Sequence, residues 1–329
     1  MIGQETHEVE RKILAILRIL SDSREPLGGR IISQRLNEQG ISLCERAVRY
    51  HLKIMDERGF TRSIGRRDGR EITQPGLEEL SSALVWDKLG SLISRIELLS
   101  YLTTFNPETF IGDIPIDVSL IDRKDLAATL KAMRRVFEAG FCVSNLVAQA
   151  SEGERLGEVT VPRGKIGLAT ISSVLINGLL LKLGVPIDSK FIGLVQLHNY
   201  KPVRFVEFIE CHSSSIDPLE LFISGKMTSI THAIKTGEGR AMASLLEIPM
   251  VSTSMIESVL ERLKVINLCN FFVMGNEIEP LHEIPVSLNK VGLVLFSGLN
   301  AVAASAEEGI PVVNKAMGGV IDIQKLSRI

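Results

Sequence analysis

Cysteine is scarce in this 329-residue chain: Cys44, Cys142, Cys211 and Cys269 are the whole complement. They show no C-x-x-C spacing and no pairing logic, which excludes a disulfide-stapled secreted scaffold and favours a reducing, cytoplasmic setting. The first ten residues, MIGQETHEVE, lack the basic and apolar regions of an export signal. No metal-ligand spacing links the six histidines, His7, His51, His198, His212, His232 and His282, to the cysteines. A formal net charge of −2 excludes a chain that binds polyanions over its whole surface. No full-length membrane span is present either. The uncharged run Ile166–Leu181 has sixteen residues, short of the ~20 that a spanning helix needs, and is expected to be buried core.

What the chain does have is a copy of that run. "KIGLATISSVLINGLLLKLGVP" (Lys165–Pro186) and "KVGLVLFSGLNAVAASAEEGIP" (Lys290–Pro311) align at a constant offset of 125 residues. Upstream the match extends without gaps, as Leu156, Glu158 and Val161 reappear as Leu281, Glu283 and Val286. The second copy carries Glu307 and Glu308 where the first has Lys182 and Leu183, and no lipid-facing helix accepts such charges. Each copy reads as an apolar strand, a Ser-containing break, an apolar helix and a Gly/Pro stop. Two such units predict an α/β domain with an internal pseudo-two-fold duplication.

Charge is divided unevenly along the chain. Residues 1–75 hold fourteen Lys and Arg against eleven Asp and Glu, so they carry +3 and the remainder −5. Within them, Val9, Ile13, Ile16, Leu17 and Leu20 share one helical face, and "RIISQRLNEQG" predicts a second helix. A third is expected to open with Ser42 and Glu45 as a capping box and to bury Cys44, Val48, Leu52 and Met55. Its other face presents Arg46, Arg49, Tyr50 and Lys53, a basic, hydrogen-bonding stripe suited to a DNA groove. Two β-like runs follow around Gly65-Arg66-Arg67-Asp68-Gly69, a hairpin whose Arg66, Arg67 and Arg70 are placed for backbone contacts. Three helices and a basic hairpin make a winged helix-turn-helix.

This DNA-binding domain is assigned to residues 1–80, followed by a linker helix and an irregular connecting segment over 81–112 and a larger domain over 113–329. In the latter, "RKDLAATLKAMRRVFEAGF" predicts an amphipathic helix with Leu126, Leu130, Met133 and Phe137 on one side. "VRFVEFIEC" alternates as a strand, and "IDPLELF" places an Asp cap before a Pro at the first helical position. "PVRFVEFIECHSSSIDPLELFISGKMTSI", "VLINGLLLKLGVPI" and "VGLVLFSGLNAVAASAEEGIPV" closely resemble the archaeal nitrogen regulatory repressor family, NrpR, over essentially the whole chain. The resemblance implies a repressor of nitrogen-assimilation genes that binds inverted-repeat operator DNA, is released by 2-oxoglutarate, and is not an enzyme. Some members carry two tandem effector domains and this chain has one, which raises a companion subunit as a further expectation beside a homodimer.

The competing reading is a DNA-tethered enzyme or thiol-based redox sensor using Cys211 and His212. For the effector, the strand-to-helix breaks at Ser172 and Ser297 offer free helix-end amides, two candidate anion sites. Asn300, Arg163, Lys165, Lys290 and the loop Ser213, Ser214 and Ser215 complete the candidate ligand set.

Overall fold

The computed structural model describes residues 2–23, 25–38, 40–65, 69–82, 91–269, 272–275 and 286–329. The chain divides into two compact units, Met1–Trp86 and Asp87–Ile329.

In the first unit, helices α1 (Ile2–Ser21), α2 (Gly29–Glu38) and α3 (Glu45–Glu57) precede a two-stranded antiparallel wing, β1 (Thr61–Gly65) and β2 (Gly69–Ile72), and helix α4 (Gln74–Ser82). Ile13, Ile16 and Leu17 of α1 meet Ile32 and Leu36 of α2 and Val48, Leu52 and Met55 of α3 in one core. Burying aliphatic side chains from three helix faces is the main stabilising term for so small a unit. Leu27 exchanges backbone hydrogen bonds with Arg70, which adds a third chain to the wing. Gly69 lies at φ +89, and a Cβ there would stand 2.6 Å from the Leu27 carbonyl carbon, so both conformation and space require glycine.

Two expectations for α3 are corrected. Cys44, not Ser42, is the N-cap residue, and no side chain caps the helix; the Glu45 carboxylate pairs with Arg49 at 2.5 Å instead. Cys44 is exposed and His51 is buried in its stead. Val48, Leu52 and Met55 are buried as expected, and Cys44 falls outside the stripe because it precedes the helix, which starts at Glu45.

The second unit holds helices α5 (Ser91–Leu102), α6 (Leu126–Glu138), α7 (Val174–Lys182), α8 (Pro218–Ser224), α9 (Ile230–Thr236), α10 (Thr253–Val265) and α11 (Asn300–Glu307). Its main strands are β3 (Asp113–Asp122), β4 (Leu146–Ala150), β7 (Lys165–Ile171), β8 (Asp188–His198), β9 (Lys201–Glu210), β10 (Gly239–Pro249), β11 (Phe272–Gly275), β12 (Lys290–Phe296) and β13 (Val312–Lys315). Short strands β5 (Arg155–Leu156) and β6 (Val159–Thr160) pair together, while β14 (Val320–Asp322) and β15 (Ser327–Arg328) edge the sheet of β3 and β4. Helix α5 falls in the stretch expected to be irregular, and Leu92, Ile96 and Leu99 fix it in the core of this unit.

The main strands form two sheets, β11-β12-β10-β8-β9 and β13-β3-β7-β4-β15. Every strand pair among the described residues is antiparallel, so the α/β expectation is corrected to a mixed, antiparallel α+β architecture. Helices α7 and α11 carry the chain to the other sheet, from β7 to β8 and from β12 to β13, whereas α6 and α10 return it to the sheet it left, from β3 to β4 and from β10 to β11. None of these connections makes a parallel pair. Register links the sheets. Ile116↔Ile171 through Asp122↔Lys165 in β3/β7 has the same span as Ala243↔Phe296 through Pro249↔Lys290 in β10/β12. The flanking pairs agree as well: Val147↔Thr170 and Ala150↔Gly167 match Phe272↔Leu295 and Gly275↔Gly292. The fourth strand of each set comes from the other half of the chain, since β8 lies on β10 and β13 lies on β3.

Both apolar helices are buried as expected, through Val174–Leu180 in α7 and Asn300–Ser305 in α11. Helix α6 buries Met133 of the expected stripe together with Thr129, Ala132 and Val136, while Leu126, Leu130 and Phe137 are half-buried. Asp217 caps α8 by accepting from the Leu219 amide at 2.8 Å, with Pro218 in the first turn. No helix among the described residues is long and apolar enough to cross a membrane.

Candidate functional site

On α3 the inward side chains are Val48, His51, Leu52 and Met55, which leaves Arg46, Arg49, Tyr50 and Lys53 exposed on the opposite face. Lys53 is 77% exposed and only 3.9 Å from Glu57, and Arg49 is 70% exposed beside Glu45. Such i,i+4 surface pairs contribute little, so a phosphate or base edge can displace the carboxylates. Arg70 is placed differently. Its Nε donates to Asp56 at 2.7 Å while Thr61 donates to the same carboxylate at 2.6 Å, so Arg70 ties the wing to the C-terminal turn of α3. The tip residues Arg66 and Arg67 lie outside the described residues.

In the second unit the two strand-to-helix breaks do come together. A Cβ on Gly298 would lie 2.1 Å from the Ile171 carbonyl oxygen and 3.4 Å from an Asp117 carboxylate oxygen, so the junction after β12 abuts the junction after β7. They meet without an opening. Ser297 is fully buried and its Oγ accepts from the Leu299 amide. Asn300 spends its amide on the backbone, donating to Phe141 and Met242 and accepting from the Met242 amide.

Beside Ser172 the space is only about 20 Å³, lined by Ser173, Cys211, Asp217, Ser244 and Met317 among others. That holds one water, not a five-carbon dicarboxylate. Its charge is also of the wrong sign. Burial pushes Asp117 up to about 6 against the Met317 amide and Ser172 hydrogen bonds, and burial beside Asp117 pushes Asp217 up to about 7. Each has one carboxylate oxygen without a hydrogen-bond partner.

The remaining candidates are spread out. Lys165 pairs with Asp122 at 2.9 Å at the far end of β7 from Ser172, and Arg163 is exposed beyond it. Lys290, Lys190, Asp188, Glu247 and His212 form one ionic cluster, with His212 Nε2 2.8 Å from Asp188. Burial opposes the charge on Asp188, yet hydrogen bonds from His212 and Lys190 and nearby Lys290 outweigh it and hold the carboxyl at about 2. Ser213 donates to Glu210, Ser214 is engaged with Ile216, and the Ser215 carbonyl accepts from Ser91. Lys290 thus joins His212 in this cluster, while the serine loop lies between Cys211 and Asp217, which line the small space beside Ser172, and its Ser213 and Ser214 hydroxyls are held by Glu210 and Ile216.

Cys211 is fully buried, and burial with Asp217, Asp188 and Glu210 nearby pushes its thiol up to about 12. At neutral pH it is a protonated thiol, and His212 faces Asp188 rather than the sulfur. A Cys-His nucleophile pair is therefore not assembled. Among the described residues no cluster of three or more His, Cys, Asp or Glu could hold a metal ion.

Comparison with known proteins supplies the deciding observation. Residues 89–328 match the family model for NrpR regulatory domains NRD1 and 2. The chain belongs to the NrpR family of nitrogen regulators. Residues 14–80 match the Ribonuclease R winged-helix domain model. Global nitrogen regulator NrpRI of Methanosarcina mazei is 36% identical over 322 residues, covering 98% of this chain and 99% of its own.

Two NrpR proteins are longer. The chain is 31% identical to Global nitrogen regulator NrpR of Methanococcus maripaludis over 95% of its length but only 54% of the relative's. For that of Methanocaldococcus jannaschii the values are 32%, 98% and 56%, so the chain spans about half of either relative. A solved nitrogen repressor-like protein from Methanococcus jannaschii shares the fold, with a TM-score of 0.61 at 24% identity over 72% of this chain and 97% of that one. Membership in this family makes the chain a transcriptional regulator connected with nitrogen, with an N-terminal winged helix and an NrpR regulatory domain.

Proposed function

We propose that this NrpR-family regulator represses nitrogen-assimilation genes by binding inverted-repeat operator DNA as a homodimer and leaves the operator when 2-oxoglutarate binds the second unit. The observation that carries the reading is the free face of α3: Arg46, Arg49, Tyr50 and Lys53 project from a helix whose other side is locked in the core of a winged-helix unit. In this reading Arg66 and Arg67 at the hairpin tip add phosphate contacts, while Arg70 acts through the wing's position.

The second unit is read as an internally duplicated domain whose halves exchange their last strands, a reading that the equal registers of β3/β7 and β10/β12 support. Interlocked halves of this kind favour discrete packing states over gradual deformation, which is what a ligand-controlled regulator requires. A companion NrpR-family subunit is compatible with the scheme, because relatives of about twice the length exist. The test is a mobility shift of an inverted-repeat operator at fixed salt, titrated with 2-oxoglutarate, glutamate and glutamine. Release by 2-oxoglutarate alone, with the ligand recovered unchanged, is the expected result. Release by none of the three, or consumption of the ligand, contradicts it.

A further inference from the structure

Equal register lets each half serve as the other's control. Through it α10 corresponds to α6 and α7 to α11, which places Arg262 opposite Arg135, Lys182 opposite Glu307 and Leu183 opposite Glu308. The groove between α6 and α11 is filled. Helix α9 packs on both, burying Ile230 and Ala233, and Glu307 holds its first turn by accepting from Thr228 Oγ1 and from the Ile230 and Thr231 amides at 2.7–2.8 Å. Arg135 pairs with Glu308 across the same groove.

Among the described residues no helix fills the corresponding groove between α7 and α10. In its place lies a cleft of about 430 Å³, walled by Leu179, Leu183 and Val259 and closed on one side by the turn Thr104–Glu108. That volume is in the ordinary range for a small-molecule site, whereas the space beside Ser172 is not. Two cations stand at the cleft. Lys182 makes no ion pair among the described residues. Arg262, lacking the helix-borne glutamate that its counterpart has, reaches instead to Glu108 on the turn at 2.7 Å, in a pair exposed at both ends. Exposed pairs are weakly held, and a guanidinium fork accepts an incoming carboxylate in place of a side-chain one.

We infer that this cleft is the dicarboxylate site: one ligand carboxylate replaces Glu108 on Arg262, the other meets Lys182, and the carbon chain lies against Leu179 and Val259. The inference rests on the proposed response to 2-oxoglutarate and moves the ligand away from Ser172 and Ser297. Exchange at Arg262 releases Glu108, and with it the turn held by the Asn106–Ile111 bridge just before β3, a path from ligand to sheet.

The experiment is calorimetric titration of 2-oxoglutarate into the full-length protein and into Lys182→Met, Arg262→Met and Glu108→Gln, with thermal melts confirming that each variant is folded. Losing either cation is expected to weaken binding about tenfold or more. Glu108→Gln, which removes the competing carboxylate, is expected to tighten it several-fold. Wild-type affinity in both cation variants would overturn the cleft while leaving 2-oxoglutarate control intact, and unchanged or weaker binding in Glu108→Gln would overturn the exchange. A wild-type protein that binds no 2-oxoglutarate would overturn the effector reading itself and the cleft assignment with it.

Discussion

Arg49 and Arg70 are both basic residues of the winged unit, and their contacts give them different work. Arg49 is paired only with a neighbour on its own helix turn, whereas Arg70 joins β2 to α3 through Asp56. Arg49→Ala is expected to cost about 1–3 kcal/mol of operator binding if it reads a guanine, measured by fluorescence anisotropy, with the melting temperature unchanged. Arg70→Ala is expected to lower the stability of the winged unit by about 1–3 kcal/mol, because Asp56 loses its cation in a half-buried site. Reversal of the two effects would show that the DNA-facing surface has been misassigned. The buried carboxylates lead to a pH prediction. Between the ordinary carboxyl value of 3.8 and the folded values of about 6 for Asp117 and about 7 for Asp217, the folded protein holds protons that the unfolded chain has released. Stability contributed by these groups is therefore present at low pH and falls as pH rises through that window. Asp117→Asn, which can still accept from the Met317 amide, is expected to gain on the order of 1–2 kcal/mol relative to wild type between pH 5 and pH 8. Denaturant midpoints at the two pH values check this, and parallel curves would contradict it.

At the scale of elements, the close contact between the two strand-to-helix junctions is the feature most sensitive to a single atom. Gly298→Ala would drive a methyl into the Ile171 carbonyl, and neither backbone segment is free to move without shifting its strand. The expected loss is about 1–3 kcal/mol, read as a lower unfolding midpoint of residues 87–329. An unaltered midpoint would mean that the junctions are not locked together. These elements were legible in sequence to different degrees. Local signals were reliable: the 125-residue offset located both strand-to-helix units, and Asp217-Pro218 located the start of α8. Pairing direction was not legible, because a strand followed by a helix looks alike whether the next strand joins the same sheet or the other one. Helix α5 is hidden in the sequence by Pro107, Gly112 and Pro115, which follow it and mark the neighbourhood as irregular. The site was the least legible part. Ser172 and Ser297 do mark the ends of strands, but nothing in the sequence places Asp117 and Asp217 in that space; the replacement of Glu308 by Leu183 is visible in the repeat, whereas its facing of Arg262 depends on the helix pairing.

For the whole molecule, the inverted-repeat reading requires two recognition helices held about one turn of DNA apart, so the chain must pair with itself. Residues 87–329 alone are expected to be dimeric by light scattering at micromolar concentration. A monomer would move the dimer contact to the winged unit or the segment that follows it. Control by ligand makes a stricter demand. If 2-oxoglutarate weakens operator binding, operator must weaken 2-oxoglutarate binding by the same factor, since both measure one coupling free energy. A coupling of about 1–3 kcal/mol corresponds to roughly 5–150-fold in either direction. Calorimetric titration of 2-oxoglutarate into the free protein and into the protein saturated with operator tests this most directly. Weaker binding to the DNA-bound form, by the factor found for operator release, is the predicted result; equal affinity for the two forms would contradict control of the operator by this ligand.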